Sequence, residues 1–170
     1  MKDTDKKILD IRDLAELSVM CALMVGGKEV MNALPNIHPV MLILILCVRI
    51  YGVKSLYSII GFVMIELMIY GVSLWTVCYL YTWPLYCIAA LPFKENNSRL
   101  FWGLYAAAAG LLFGPLSALT TAVLSGWKAS IAYWVSGIPY DIIHCISNFV
   151  IVYFLVDPLY KLLLKLRIKK

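Results

Sequence analysis

A chain of 170 residues that is 62% hydrophobic, with a mean hydropathy of +0.84, carries more apolar surface than a soluble domain of its size buries, so its solvent is mostly lipid. The net charge of +5 comes from Lys and Arg at the ends of apolar runs, where they set membrane orientation, and it gives no nucleic-acid signal. A span takes about 20 apolar residues, so six spans use nearly the whole chain. The expected organisation is one all-α integral membrane domain over residues 1–170, with no separate soluble domain.

The start, Met1 to Asp13, is charged, and no small-residue cleavage pattern follows the first apolar run, so no cleavable signal peptide is expected. The first span is predicted over about 14–34. It carries Ser18, Ala22 and Gly26 at four-residue spacing, a small-residue face of the kind that lets helices approach closely in lipid. The first connection, Lys28 to Pro39, holds Asn32, Asn36 and His38. The second run, about 40–51, is short for a span, which suggests a tilted or partly interfacial segment.

The third span, about 56–72, has Glu66 near its middle. A charge at that depth costs about 3 kcal/mol on insertion scales, so the side chain faces protein or water. Two readings stand: a bond to a neighbouring helix, or a place on a ligand or proton route. The stretch Ser73 to Trp83 is aromatic, with Trp75, Tyr79 and Trp83. It leads into the fourth span, about 75–93, which is interrupted by Pro84 with Pro92 near its end.

The fifth span, about 100–124, carries Ala106, Gly110, Gly114, Ala118, Ala122 and Gly126 at four-residue spacing. That ladder runs the length of a span and fits packing within the chain, which leaves the first-span ladder as the better candidate for docking another protein. The connection from Ser125 to Asp141 holds Trp127, Tyr133 and Trp134. In the sixth span, about 134–164, Asp141, His144 and Asn148 stand at i, i+3 and i+7, on one helical face. They suit a polar pocket wall or plain structural pairing, and Asp141, two residues after Pro139, is placed to cap the helix start. A metal needs three or four convergent ligands, and the only other His is His38, so no metal or cofactor is expected. The five Cys contain no CxxC pair and read as small buried hydrophobes.

Charge orients the spans. Lys2, Lys6, Lys7, Arg12, Arg49, Lys54, Lys94, Arg99, Lys161, Lys165, Arg167, Lys169 and Lys170 fall on one side of a six-span chain, and only Lys28 and Lys128 on the other. Five or seven spans spoil that partition. The positive-inside rule then puts both termini in the cytoplasm. Four of the five Trp lie toward the other side, and the inner boundary has Trp102 with Tyr51, Tyr57 and Tyr160. A lipid-anchoring aromatic belt is two-sided, so this one-sidedness favours an outward pocket in which rings supply rigid stacking area and a few polar groups set orientation.

No HExxH, GxSxG or Walker A sequence is present, so the chain is not expected to be an enzyme, and energy for transport must come from a partner or an ion gradient. Two other classes stay open: a small oligomeric secondary transporter or channel, although the two halves show no clear internal repeat, and an intramembrane enzyme using Glu66 or the Asp141–His144 pair.

The stretches Ala33-Leu-Pro-Asn-Ile-His-Pro39, Tyr79-Leu-Tyr-Thr-Trp-Pro84 and Ala132-Tyr-Trp-Val-Ser-Gly-Ile-Pro-Tyr-Asp-Ile-Ile-His144, followed by Ser147-Asn-Phe149, resemble the substrate-binding S component of energy-coupling factor (ECF) vitamin transporters, with a leaning toward the cobalamin-type branch. Length, span number and loop character agree over nearly the whole chain. The resemblance implies a prokaryotic cell-membrane protein that binds a vitamin or similar micronutrient from outside, with a corrinoid as the first expectation. It implies delivery inward together with a transmembrane coupling subunit and two cytoplasmic ATPases. It implicates Asn32, Asn36, His38, Trp75, Tyr79, Trp83, Trp127, Tyr133, Trp134, Asp141 and His144 in ligand binding, and Ser18, Ala22 and Gly26 in contact with the coupling subunit. Ser and Gly stand here where that family usually has Ala.

Overall fold

The computed structural model describes residues 9–168, so Lys2, Lys6, Lys7, Lys169 and Lys170 of the basic set lie outside the described residues. The fold is helical, with no strand among the described residues: α1 (Ile11–Val30), α2 (Val40–Tyr51), α3 (Ser55–Tyr70), α4 (Leu74–Ala90), α5 (Arg99–Ser125) and α6 (Trp127–Ile168). Local chemistry sets the breaks. Gly52 at φ 57° and Gly126 at φ 84° adopt backbone that L side chains rarely accept, and so allow the sharp α2–α3 and α5–α6 turns. Ser73 and Thr76 form a reciprocal capping box that starts α4, and Ser98 accepts from the Phe101 amide at the start of α5.

The short helix α2 sits at the centre. Every residue from Val40 to Arg49 is buried, and α2 touches α1, α3, α4, α5 and α6. At 1.5 Å per residue its 12 residues extend about 18 Å, short of a bilayer core. It is a central rod, apolar on nearly all sides because every side is packed. Around it the neighbours run α1, α3, α4, α5 and α6. Four stretches are long and apolar enough to cross a membrane: Val40–Tyr70, Leu74–Phe93, Arg99–Ser125 and Trp127–Arg167. The first of these includes the turn at Gly52.

The helices alternate in direction, so charged residues from distant parts of the sequence meet at one end. Arg12 donates to the Arg167 carbonyl at 2.6 Å, Lys54 and Arg167 both pair with Asp13, at 2.6 and 2.8 Å, and Arg49 donates to Asn97 at 3.0 Å. These bonds join the start of α1, the α2–α3 turn, the α4–α5 link and the end of α6. Arg12, Arg49, Lys54 and Arg167, which the charge count placed on one side, are thus at one end of the bundle. At the opposite end Tyr70 donates to Glu29, and Asn36 in the α1–α2 link donates to the Tyr140 carbonyl at 3.1 Å.

Helices α5 and α6 form an antiparallel hairpin along the small-residue ladder. A Cβ added at Gly110 would lie 2.8 Å from the His144 and Cys145 backbone, and one at Gly103 would lie 3.1 Å from the Phe149 ring. Asn148 donates to the Ala106 carbonyl at 3.2 Å. The ladder is therefore a contact surface within the chain. Gly110→Val should force the two backbones apart, lowering thermal stability by about 1–3 kcal/mol, the usual cost of overpacking. A melting curve of the detergent-solubilised chain reads this directly, and an unchanged midpoint would refute the contact.

The structure corrects several sequence boundaries. Helix α1 ends at Val30, so 31–39 is a link and not the end of a span. The aromatic stretch 73–83 is the cap and first part of α4, which ends at Ala90, three residues short of the expected end. Helix α6 starts at Trp127, immediately after the Gly126 turn, so Asp141 lies deep inside the helix and caps nothing. The polar face read from spacing is real nonetheless: Asp141, His144 and Asn148 are all buried.

Candidate functional site

At the end opposite the basic cluster lies a pocket of about 380 Å³ between α4, α5, α6 and the α1–α2 link, lined by Asn36, Trp75, Tyr79, Phe113, Gly114, Ser117, Tyr133, Trp134, Ser136, Gly137, Tyr140 and Asp141. Its origin is a break in the hairpin register. Asn148, Cys145 and Asp141 face Ala106, Gly110 and Gly114 in regular steps of one turn. Beyond Pro139 that step is lost, and Ser130, not Gly137, reaches the Ala118 carbonyl at 2.7 Å. Nothing lies within 4 Å of a Cβ built on Gly137. The turn from Tyr133 to Gly137 stands off α5, and the gap it leaves is the pocket. Pro139, which has no amide hydrogen to bond the preceding turn, sits at the point of departure.

Each wall has a local cause. The period of α4 turns Trp75 and Tyr79 to the same side, and their rings meet edge to face with centroids 5.2 Å apart. Asn36 is the one described non-glycine residue with positive φ, at 57°, a conformation Asn tolerates. Its amide donates to Tyr140 and its carbonyl accepts from Ser147 at 2.9 Å, which pins the link over α6. Asp141 closes the inner wall. A Cβ at Gly114 would lie 2.0 Å from its Oδ2, so only glycine at this point of the ladder lets the carboxylate sit there.

Beneath the pocket is a ring-packed floor. Trp83 is fully buried and meets Phe62 and Tyr79 at 5.6 Å, Tyr86 at 6.0 Å and His38 at 6.2 Å. His38 and His144 rings contact at 5.2 Å, and His144 also meets Phe113 at 5.4 Å. Burial pushes the His38 imidazole down to about 4, so it is neutral at physiological pH. Among the described residues no three His, Cys, Asp or Glu side chains converge as metal ligands.

Beside the pocket is a second polar cluster. Lys28 Nζ lies 2.6 Å from Glu66 Oε2 and 3.1 Å from Glu29, and sits over the Tyr70 ring at 4.4 Å and the Trp75 ring at 5.5 Å. Glu66 is fully buried and lies in the last turns of α3, near the aromatic end and not at mid-depth. Of the two sequence readings, the bond to a neighbouring helix is the one observed.

Six of the residues marked from sequence therefore line the pocket: Asn36, Trp75, Tyr79, Tyr133, Trp134 and Asp141. His38, Trp83 and His144 do not line it and pack beneath it, behind Tyr79 and Phe113. Asn32 bonds the Tyr70 hydroxyl at 3.3 Å outside it, and Trp127, 70% exposed at the start of α6, is away from it. Sequence reasoning missed Phe113, Gly114, Ser117, Ser136, Gly137 and Tyr140. Gly114 was hidden inside a packing ladder and Ser117 lies beside it, and only the separation of α6 from α5 in the turn before Pro139 turns that stretch into a wall. Ser18, Ala22 and Gly26 form an exposed stripe on α1, unlike the α5 ladder, which is buried from Ala106 to Ala118. All five Cys are free thiols, four of them buried. The chain matches no protein-family model, no curated protein and no solved structure.

Proposed function

We propose that this chain is the solute-binding subunit of a micronutrient uptake system, similar in role to an ECF S component. In this reading six helices cross a prokaryotic cell membrane, both termini are cytoplasmic, the aromatic end faces outward, and a coupling subunit with two ATPases drives delivery. The observation that carries the reading is the aromatic-walled pocket at the end of the bundle remote from the basic cluster. Its 380 Å³ lies at the lower end of the roughly 300–1,000 Å³ range of small-molecule sites. That volume suits a mono- or bicyclic solute and is small for a corrinoid. The exposed Ser18–Ala22–Gly26 stripe supports a helix partner on α1, because close approach of that kind is what small residues permit in lipid.

The test is a vitamin and corrinoid screen by native mass spectrometry on the purified chain, followed by uptake in vesicles with and without an ECF coupling module. A compact ring-bearing solute should bind without ATP and cross only when the module is present. Trp75→Ala should weaken that binding about thirtyfold, the roughly 2 kcal/mol of an aromatic anchor. No bound solute would remove the proposal, and uptake in vesicles lacking any ATPase would move the chain to the secondary transporters.

A further inference from the structure

Among the residues that line the pocket, Asp141 is the sole ionisable group of acid or base type other than tyrosine, and no Lys or Arg faces it. The residue is 6% exposed, and its Oδ2 is buried without a hydrogen-bond partner. The rings of Trp75, Tyr79, Phe113, Tyr133, Trp134 and Tyr140 line the same pocket. Aromatic faces carry negative potential. Those faces attract a cation, and a buried carboxylate with no positive partner stays costly. The neighbouring cluster shows the same chemistry completed: Lys28 places an ammonium between Glu66 and Glu29, over Tyr70 and Trp75. Trp75 is common to both sites. One site is filled by a tethered cation, and the other presents a carboxylate and rings with no basic side chain among its walls.

We propose that the pocket takes a solute with a positive charge on or beside a flat ring, a cationic heteroaromatic or protonated ring-bearing amine, with Asp141 as its counter-ion. This rests on the solute-binding reading above and narrows it. The geometry disfavours anionic solutes, since a ligand carboxylate would face Asp141 with no basic side chain to receive it. Gly114 belongs to the device, because any side chain there would occupy the carboxylate's position.

A matched charge series tests it by calorimetry on the detergent-solubilised full chain: 1-methylnicotinamide as cation, nicotinamide as neutral isostere and nicotinate as anion. The wild type should bind the cation at least about tenfold more tightly than the neutral ring and show no heat with the anion, a tenfold step being the effect of a modest cation–ring contact. Asp141→Asn should bring the cation-to-neutral ratio close to one. If that variant does not fold, the wild-type series decides. Equal or tighter binding of nicotinamide or nicotinate, or a neutral or anionic hit from the vitamin screen, overturns the charge assignment and leaves the solute-binding reading standing. Absence of binding by every probe and every vitamin overturns both.

Discussion

A Glu66→Leu variant should lose about 3–5 kcal/mol of stability, the cost of removing one partner from a buried ion pair. In the native chain Lys28 Nζ is 2.6 Å from Glu66 Oε2, and the two side chains are 11% and 0% exposed. Leucine at 66 leaves the ammonium enclosed by Tyr70 and Trp75, with only the half-exposed Glu29 to balance it. The loss should appear as a fall of roughly 10 °C in the melting midpoint for a chain of this size. The paired change Lys28→Met with Glu66→Leu should recover most of it, because removing both charges removes the desolvation cost along with the attraction. A single-variant loss below about 1 kcal/mol, the value of an exposed pair, would mean that Lys28 is free to reach water.

The second large effect is expected at Trp83. Truncation to alanine should cost about 3–5 kcal/mol, because the surrounding rings cannot collapse into the space. Lipid tails are as apolar as the core, so the loss is of dispersion contacts and not of burial from water. Phe62, Tyr79, Tyr86 and His38 all lean on this indole. Tyr79 is also a pocket wall, so solute affinity should fall with stability. Trp83→Phe should retain most of both. A Trp83→Ala chain with an unchanged midpoint and abolished binding would make Trp83 a ligand contact and not the floor.

Much of the organisation was legible because its signals are local. Apolar run lengths located the helices to within a few residues, apart from the two ends of the outer connections. The charge partition foretold that Arg12, Arg49, Lys54 and Arg167 would gather at one end, as Asp13 and Asn97 now show. Lys28 was an exception in that count. It pairs with Glu66 and Glu29. The contrast between the two small-residue ladders also held, with Gly110 against the α6 backbone and Ser18, Ala22 and Gly26 exposed.

Read alone, the residues specified an all-helical chain with stretches long and apolar enough to cross a membrane, a basic end and an aromatic end, and put Asp141, His144 and Asn148 on one face. These follow from hydropathy, charge and the helical repeat, which depend only on neighbours in the chain. The tertiary structure decided which of the aromatic residues form a cavity. Trp83 proved to be floor, Trp127 lay outside, and Gly114, Ser117 and Tyr140 became walls. That choice depends on where α6 stands off α5 in the turn before Pro139 and on how the Asn36 link crosses α6. It also left Asp141 without a basic partner while Lys28 and Glu66 found each other. Such pairings join residues far apart in sequence, and no periodicity encodes them.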